Sequence, residues 1–204
     1  MTTVAERLGV KHQSLYRHVR GREALVIAAM DMAVRAVEWP RPQGRWRPYL
    51  EGVAAEIWGL FARHPGMAGE VRAVSRTPAA VTEVFYTTAA ELARLGFTDG
   101  DAVLIVDTIA DLAADSYLGW ERLTRPRRGG PVTLDLLRET WAGDHQQPAA
   151  RPYAVVIREI LDGEPRLWFD RKLALVLDGA AARWSGTAAS GSGSGRGGSG
   201  PVGR

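Results

Sequence analysis

No cysteine occurs among the 204 residues, and histidine occurs only four times. The first absence excludes a disulfide framework, a thiolate metal site and a cysteine nucleophile, and it fits a reducing cytoplasm. The second leaves no histidine pair at metal-binding spacing: His12 and His18 lie near the N-terminus, and His64 and His145 each stand alone. The body of the chain also lacks a Gly-rich phosphate loop and a nucleophile elbow. This inventory points away from an enzyme, and it implies no metal and no cofactor. Long apolar runs are missing too. Asp, Glu or Arg interrupts each one well before the roughly 18 residues a bilayer demands, and the N-terminus has no apolar signal-peptide core. No membrane partner is expected.

What is present is a 46% hydrophobic composition with an uneven distribution of charge. The first 22 residues hold Arg7, Lys11, Arg17, Arg20 and Arg22 against Glu6 alone. Arg196 and Arg204 lie in the tail, so the central body carries 19 basic and 22 acidic residues, a net −3. A basic head on a mildly acidic body suits a nucleic-acid contact confined to one end. Residues 186–204 are nearly all Gly, Ser, Ala, Arg and Pro, a composition that cannot bury enough apolar surface to offset chain entropy, so a disordered tail is expected there.

Helical periodicity runs through the rest, and the fold class expected is all-α. Val4 and Leu8 mark a short helix that Gly9 ends, and a second short helix spans about His12 to Val19. Arg22 to about Val37 forms a third, and Pro40, Pro42, Gly44 and Pro48 mark a connector. Beyond it, helices are expected over 47–63, 79–95, 99–120, 133–141, 153–161 and 166–184. Thr98 caps the third of these, with Asp101 in a short capping box. The domain organisation expected is a head with its connecting helix over 1–38, a helical body over 46–185 and the tail.

The stretch "VAERLGVKHQSLYRHVRGREAL" resembles the helix-turn-helix of the tetracycline-repressor (TetR) family. Leu8, Gly9, Val10, Leu15, Tyr16, His18, Val19 and Glu23 all fall in that family's register. The body is similar to its ligand-binding and dimerisation domain through "FARHPGMA", "LARLGFTDGDA" and "WFDRKLALVLDGAAARW". The resemblance implies a ligand-responsive, homodimeric DNA-binding regulator, a repressor by default, with a double-stranded operator and a small-molecule effector as partners. A rival reading is a dimerising ligand-binding module with little DNA affinity, which titrates a partner. Family members carry a first helix of roughly 20 residues before this stretch, where this chain has Met1 to Thr3. Val4, Leu8, Leu15 and Val19 are therefore expected to lack one wall of burial, which for each fully buried side chain contributes about 1.5 to 3 kcal/mol.

With Leu15 and Val19 facing inward, the outward residues of the second helix are His12, Gln13 and Tyr16, flanked by Ser14 and Arg17. Gln13 suits an adenine edge and Arg17 a guanine. The resemblance adds His18 and a phosphate contact at Arg22, which opens a helix whose amides favour phosphate. Lys11 stands where the family has a capping Ser, Thr or Asp, which forgoes about 1 kcal/mol of capping but suits a nearby phosphate.

In the body, Trp58, Phe61, His64, Phe85, Tyr86, Asp107, Asp111 and Tyr117 are the candidate pocket residues. For the aromatics, plain core packing competes with a pocket; for His64, the competitor is complementing a helix dipole. Asp107, Asp111 and Asp115 share a helix face and suit a cationic ligand, arginines across a dimer seam, or solvent. Ile105, Ile109, Leu112, Phe169, Leu173, Val176, Leu177, Ala180 and Trp184 are the candidate dimer interface, with packing inside one chain as the alternative.

Overall fold

The computed structural model describes residues 2–7, 9–11, 13, 14, 17, 19–126, 130–142 and 151–191. Among them, helices form α1 (Thr2–Arg7), α2 (Arg22–Arg35), α3 (Trp46–Arg63), α4 (Met67–Ala73), α5 (Ala79–Arg94), α6 (Asp99–Thr124), α7 (Thr133–Ala142), α8 (Arg151–Asp162) and α9 (Pro165–Gly191). The all-α expectation holds, and none of the described helices is long and apolar enough to cross a membrane.

The punctuation explains where the helices stop. After α1, Gly9 adopts φ +65°, its N–H meets the Glu6 carbonyl at 3.1 Å, and the Val10 N–H meets Ala5 at 3.0 Å. These paired bonds satisfy carbonyls that a helix end leaves open, and the left-handed turn strongly favours glycine. Gly96 repeats the device after α5 at φ +102°, with Phe97 N–H on the Leu92 carbonyl at 3.1 Å. At the start of α6, the Thr98 hydroxyl accepts from the Asp101 amide at 3.1 Å and donates to its carboxylate at 2.9 Å. That is the capping pair expected from the sequence.

Beyond shifts of up to four residues at helix ends, as where α6 runs on to Thr124, two features differ from the expectation. Helix α4 is absent from the periodicity reading, because seven residues holding Gly69 are too few to display a 3.6-residue repeat. Helix α9 continues to Gly191, past the composition boundary at residue 185. Extending an existing helix requires no new nucleus, so Ala-containing residues can join it despite their low apolar content.

Helix α6 is the centre of the body, packed by α3, α4, α5 and α9. Its Ile105, Ile109, Ala113 and Ala114 are buried on several sides, as an all-round apolar helix requires. Leu50, Leu92, Phe169 and Leu177 have no solvent exposure at all. Trp58 stacks on Phe169 at 4.8 Å between ring centres and meets Tyr117 edge-on at 5.1 Å. Helix α2 leaves the head and lies against α5, so one helix belongs to both parts of the molecule.

Candidate functional site

The head presents a basic surface on very little core. Ala5 is its one buried apolar side chain among the described residues before α2, while Val10 is 42% exposed. After the Gly9 turn, the Ser14 amide bonds the Lys11 carbonyl at 2.8 Å and opens a helical segment. Gln13 and Arg17 are helical and exposed, and their four-residue spacing places them on one face. Lys11 is exposed beside them, and the half-buried Ser14 accepts a 3.2 Å bond from Arg17 Nη2. His12, Tyr16 and His18 lie outside the described residues, as do Leu8 and Leu15.

Arg22 differs from its expected role as a free phosphate ligand. Its guanidinium forms a two-pronged ion pair with Glu70 of α4, one arm at 3.1 Å. It is the first of a row of polar ties between α2 and the body. Glu23 accepts the Ser75 amide at 2.7 Å. Asp31 accepts the Ala80 amide at 2.6 Å, at the start of α5. Arg35 then bridges Asp31 at 2.9 Å and Glu83 at 3.1 Å. The backbone amides, chiefly, hold the Glu23 and Asp31 carboxyls below the ordinary carboxylate range, with arginine neighbours adding to both.

Beneath α2 lies an apolar cavity of about 120 Å³. Val34 in the last turn of α2 and Trp39 just beyond it form one wall, Leu60, Phe61 and Met67 one side, and Val84 and Phe85 another. Val106, Ile109 and Ala114 of α6 close the back. Thr88 is the polar side chain in the lining, and its hydroxyl donates to the Val84 carbonyl at 2.8 Å. On the other side of Trp39 lies an open cleft of about 490 Å³ that also touches Val34, Val53, Val84 and Thr88, with Arg35, Arg41, Glu83 and Glu91 around it.

The cavity takes Phe61 and Phe85 from the expected pocket set and leaves the others elsewhere. Trp58 and Tyr117 are stacked into the core between α3, α6 and α9. Burial raises the Tyr117 phenol above its ordinary range. Tyr86 is 66% exposed and does not line the chamber. His64 is exposed at the end of α3, where it borders a shallow cleft against α2. Asp107 and Asp111 are exposed on the outer side of α6. Arg72 of α4 pairs with Asp111 at 2.8 Å and Asp115 at 2.9 Å, so two of the three aligned aspartates are matched within the chain.

The expected dimer seam also requires correction. Ile105, Ile109, Phe169, Leu173, Leu177 and Ala180 are all buried inside the single chain, and Ile109 lines the cavity. Leu112 and Val176 are half-buried against the same core. Trp184 stacks near Phe97 at 6.3 Å, with its indole N–H on the Leu95 carbonyl at 3.3 Å. An apolar stripe identifies a face that is covered, without saying whether the cover is intramolecular. Sequence reasoning missed Trp39 and Thr88. Thr88 carried one signal, its place seven residues after Val81 on the inward stripe of α5.

Known proteins resemble the chain at two levels. No family model matches it. The tetracycline repressor protein class A from transposon 1721 of Escherichia coli is 30% identical over 193 residues, covering 88% of this chain and 80% of that protein. The HTH-type transcriptional repressor DrrR1 of Streptomyces coeruleorubidus is 40% identical over 67 residues, which are 32% of this chain and 25% of DrrR1. Among solved structures, the Streptomyces coelicolor TetR family protein ActR in complex with actinorhodin matches at TM-score 0.71 and 23% identity, over 89% of this chain and 86% of ActR. A possible TetR family transcriptional regulator from Streptomyces coelicolor A3(2) matches at TM-score 0.74 and 21% identity, over 89% of this chain and 88% of its own. These two structural likenesses concern the fold.

Proposed function

This chain belongs to the tetracycline-repressor family of ligand-responsive transcriptional regulators, and we propose that it acts in the cytoplasm as a homodimeric repressor, released from a palindromic operator by a small-molecule effector. The observation that carries the reading is the shared helix. Val34, in the last turn of α2, is a wall of the apolar cavity, while the first residue of α2 follows directly on the basic head. A ligand that swells the cavity therefore moves the rod that holds the recognition helix.

Lys11, Gln13 and Arg17 are the described residues best placed to meet DNA, with Gln13 and Arg17 as base readers and Lys11 on phosphate. His12, Tyr16 and His18 complete the contact set on the family pattern. Arg22 joins it only by exchanging Glu70 for a phosphate. Two recognition helices must sit about 34 Å apart to enter successive major grooves, so a small tilt of α2 in each protomer suffices to spoil binding.

Dimerisation is assigned to the outer side of the α6 and α9 pair, where Leu104 is 50% exposed and Leu175 is 74% exposed. These leucines replace the buried seam as the apolar contact between copies. Leu175→Glu should give a folded monomer in analytical ultracentrifugation and remove tight operator binding; a dimer of unchanged stability would refute this face.

The decisive experiment is a gel shift with the DNA upstream of the native gene, repeated over a salt series. Specific binding with a steep salt slope supports the repressor. Absence of any shift at low salt would instead favour the dimerising module that titrates a partner.

A further inference from the structure

The chamber under α2 and the cleft outside it differ sharply in chemistry, and they share a wall made of Val34, Trp39, Val53, Val84 and Thr88. Inside, Thr88 offers no spare proton, because its hydroxyl donates to the Val84 carbonyl. No charged residue lines the chamber. A charged group carried into such a site without a partner loses its hydration for nothing, a cost of many kcal/mol. The buried part of any ligand is therefore uncharged and apolar. At about 120 Å³ the chamber approaches the roughly 150 Å³ of an apolar cavity that holds benzene.

Outside, the charged groups of the cleft are mostly committed. Arg35 is held by Asp31 and Glu83, and Glu91 by Arg94. Arg41 has no ion-pair partner among the described residues, and it is exposed at the cleft. Of the five shared wall residues, Trp39 is the one outside the helices, so it is the part of the partition freest to swing. Its backbone N–H bonds the Val37 carbonyl at 3.1 Å, and its side chain is held by one hydrogen bond, from the indole N–H to the Val34 carbonyl at 3.1 Å.

Resting on the reading of this cavity as the effector site, we propose that the effector is an aromatic or similarly apolar ring bearing an anionic tail. The ring fills the chamber, the tail reaches Arg41 in the cleft, and Trp39 is the gate between them. Passage of the tail displaces the indole and breaks its bond to the last turn of α2. The gate thereby links this ligand shape to the helix that carries the head.

The test uses the full-length chain and two probes, toluene for the ring alone and 4-phenylbutyrate for ring plus carboxylate, measured by titration calorimetry. Both should bind at one site per chain, with 4-phenylbutyrate about fivefold tighter, the upper range of an exposed ion pair. Arg41→Gln should erase that advantage and leave toluene unchanged. Ala114→Phe, which fills the chamber from α6, should weaken both probes at least about tenfold, since the ring's burial is lost. Val84→Phe repeats the filling from α5 should the first variant fail to fold. Full toluene affinity in a folded chamber-filling variant would overturn the proposal. So would an Arg41→Gln effect that is equal for the two probes. Operator binding is followed separately by gel shift: probes that fail to bind a chain that still binds its operator overturn the ligand class and leave the repressor reading intact. Probe binding by a chain with no operator affinity does the reverse.

Discussion

The head and the body of this molecule are held by different forces. In the body, Phe169, Leu50, Leu92 and Leu177 are wholly enclosed, and the ring stack of Trp58, Phe169 and Tyr117 ties α3, α6 and α9 into one unit. The head has a short α1, the exposed Val10 and a basic helical segment, joined to the body through α2. Met30 and Val34 of α2 enter the core, but much of its remaining attachment is polar: Arg22 to Glu70, Glu23 to Ser75, Asp31 to Ala80 and Arg35 to Glu83. Apolar packing is dense and resists gradual deformation, whereas exposed ion pairs contribute little each and exchange easily. A body of the first kind and a joint of the second allow the head to be re-aimed without unfolding its support.

Four substitutions break or sharpen this contrast, in descending order of expected effect. Phe169→Ala removes the ring beneath Trp58 and should cost about 3 to 5 kcal/mol. In a domain of this size that lowers Tm by about 10 °C, visible by calorimetry. A loss under 1 kcal/mol would show that the core is looser than its burial suggests. Arg17→Ala should leave Tm nearly unchanged while weakening operator binding by about 1 to 3 kcal/mol and relaxing preference at one base pair. An equal loss on all DNA sequences would reassign Arg17 to the phosphate backbone.

Thr98→Ala deletes the cap of α6, and the expected cost is about 1 kcal/mol, read from the urea midpoint. The smallest effect belongs to the α2 joint and depends on pH. Asp31 is held below the ordinary carboxylate range by the Ala80 amide first and Arg35 second. Its folded value lies under the unfolded value of about 3.9, so its stabilisation is present above that pH and fades as pH falls through the lowered value. Asp31→Asn should therefore be less stable than the parent at pH 7, with the gap closing below about pH 4. A gap that stays constant down to pH 2.5 would mean that the carboxylate charge is not what holds the joint.

Much of the architecture was legible before any coordinates. The 3.6-residue repeats placed α2, α3, α5, α6, α7 and α8, and the start of α9, within a few residues, because an amphipathic helix must turn its apolar stripe inward wherever it packs. Gly9, Gly96 and Thr98 marked ends correctly, because capping is local chemistry that acts over three or four residues. The register of "VAERLGVKHQSLYRHVRGREAL" pointed to the family for a similar reason, since its pattern is contained in about 22 consecutive residues. Short α4 escaped, and with it Glu70 as the partner of Arg22 and Arg72 as the partner of Asp111 and Asp115.

The sites depended on separations no local pattern reports. Ile109 and Phe61 both lay on apolar stripes, but only packing made them walls of the same chamber, 48 positions apart in sequence. Trp58 and Phe85 are both aromatic and helical, yet one is stacked core and the other faces a cavity. Phe169 and Leu177 are buried within their own chain, whereas Leu104 and Leu175 of the same two helices stay exposed. Trp39 carried no signal at all, lying in a Pro-rich connector. Periodicity is a property of one helix and states which side is covered; the covering partner, and whether a gap remains beneath it, is settled only when distant helices come together and their side-chain volumes fail to fill the space between them.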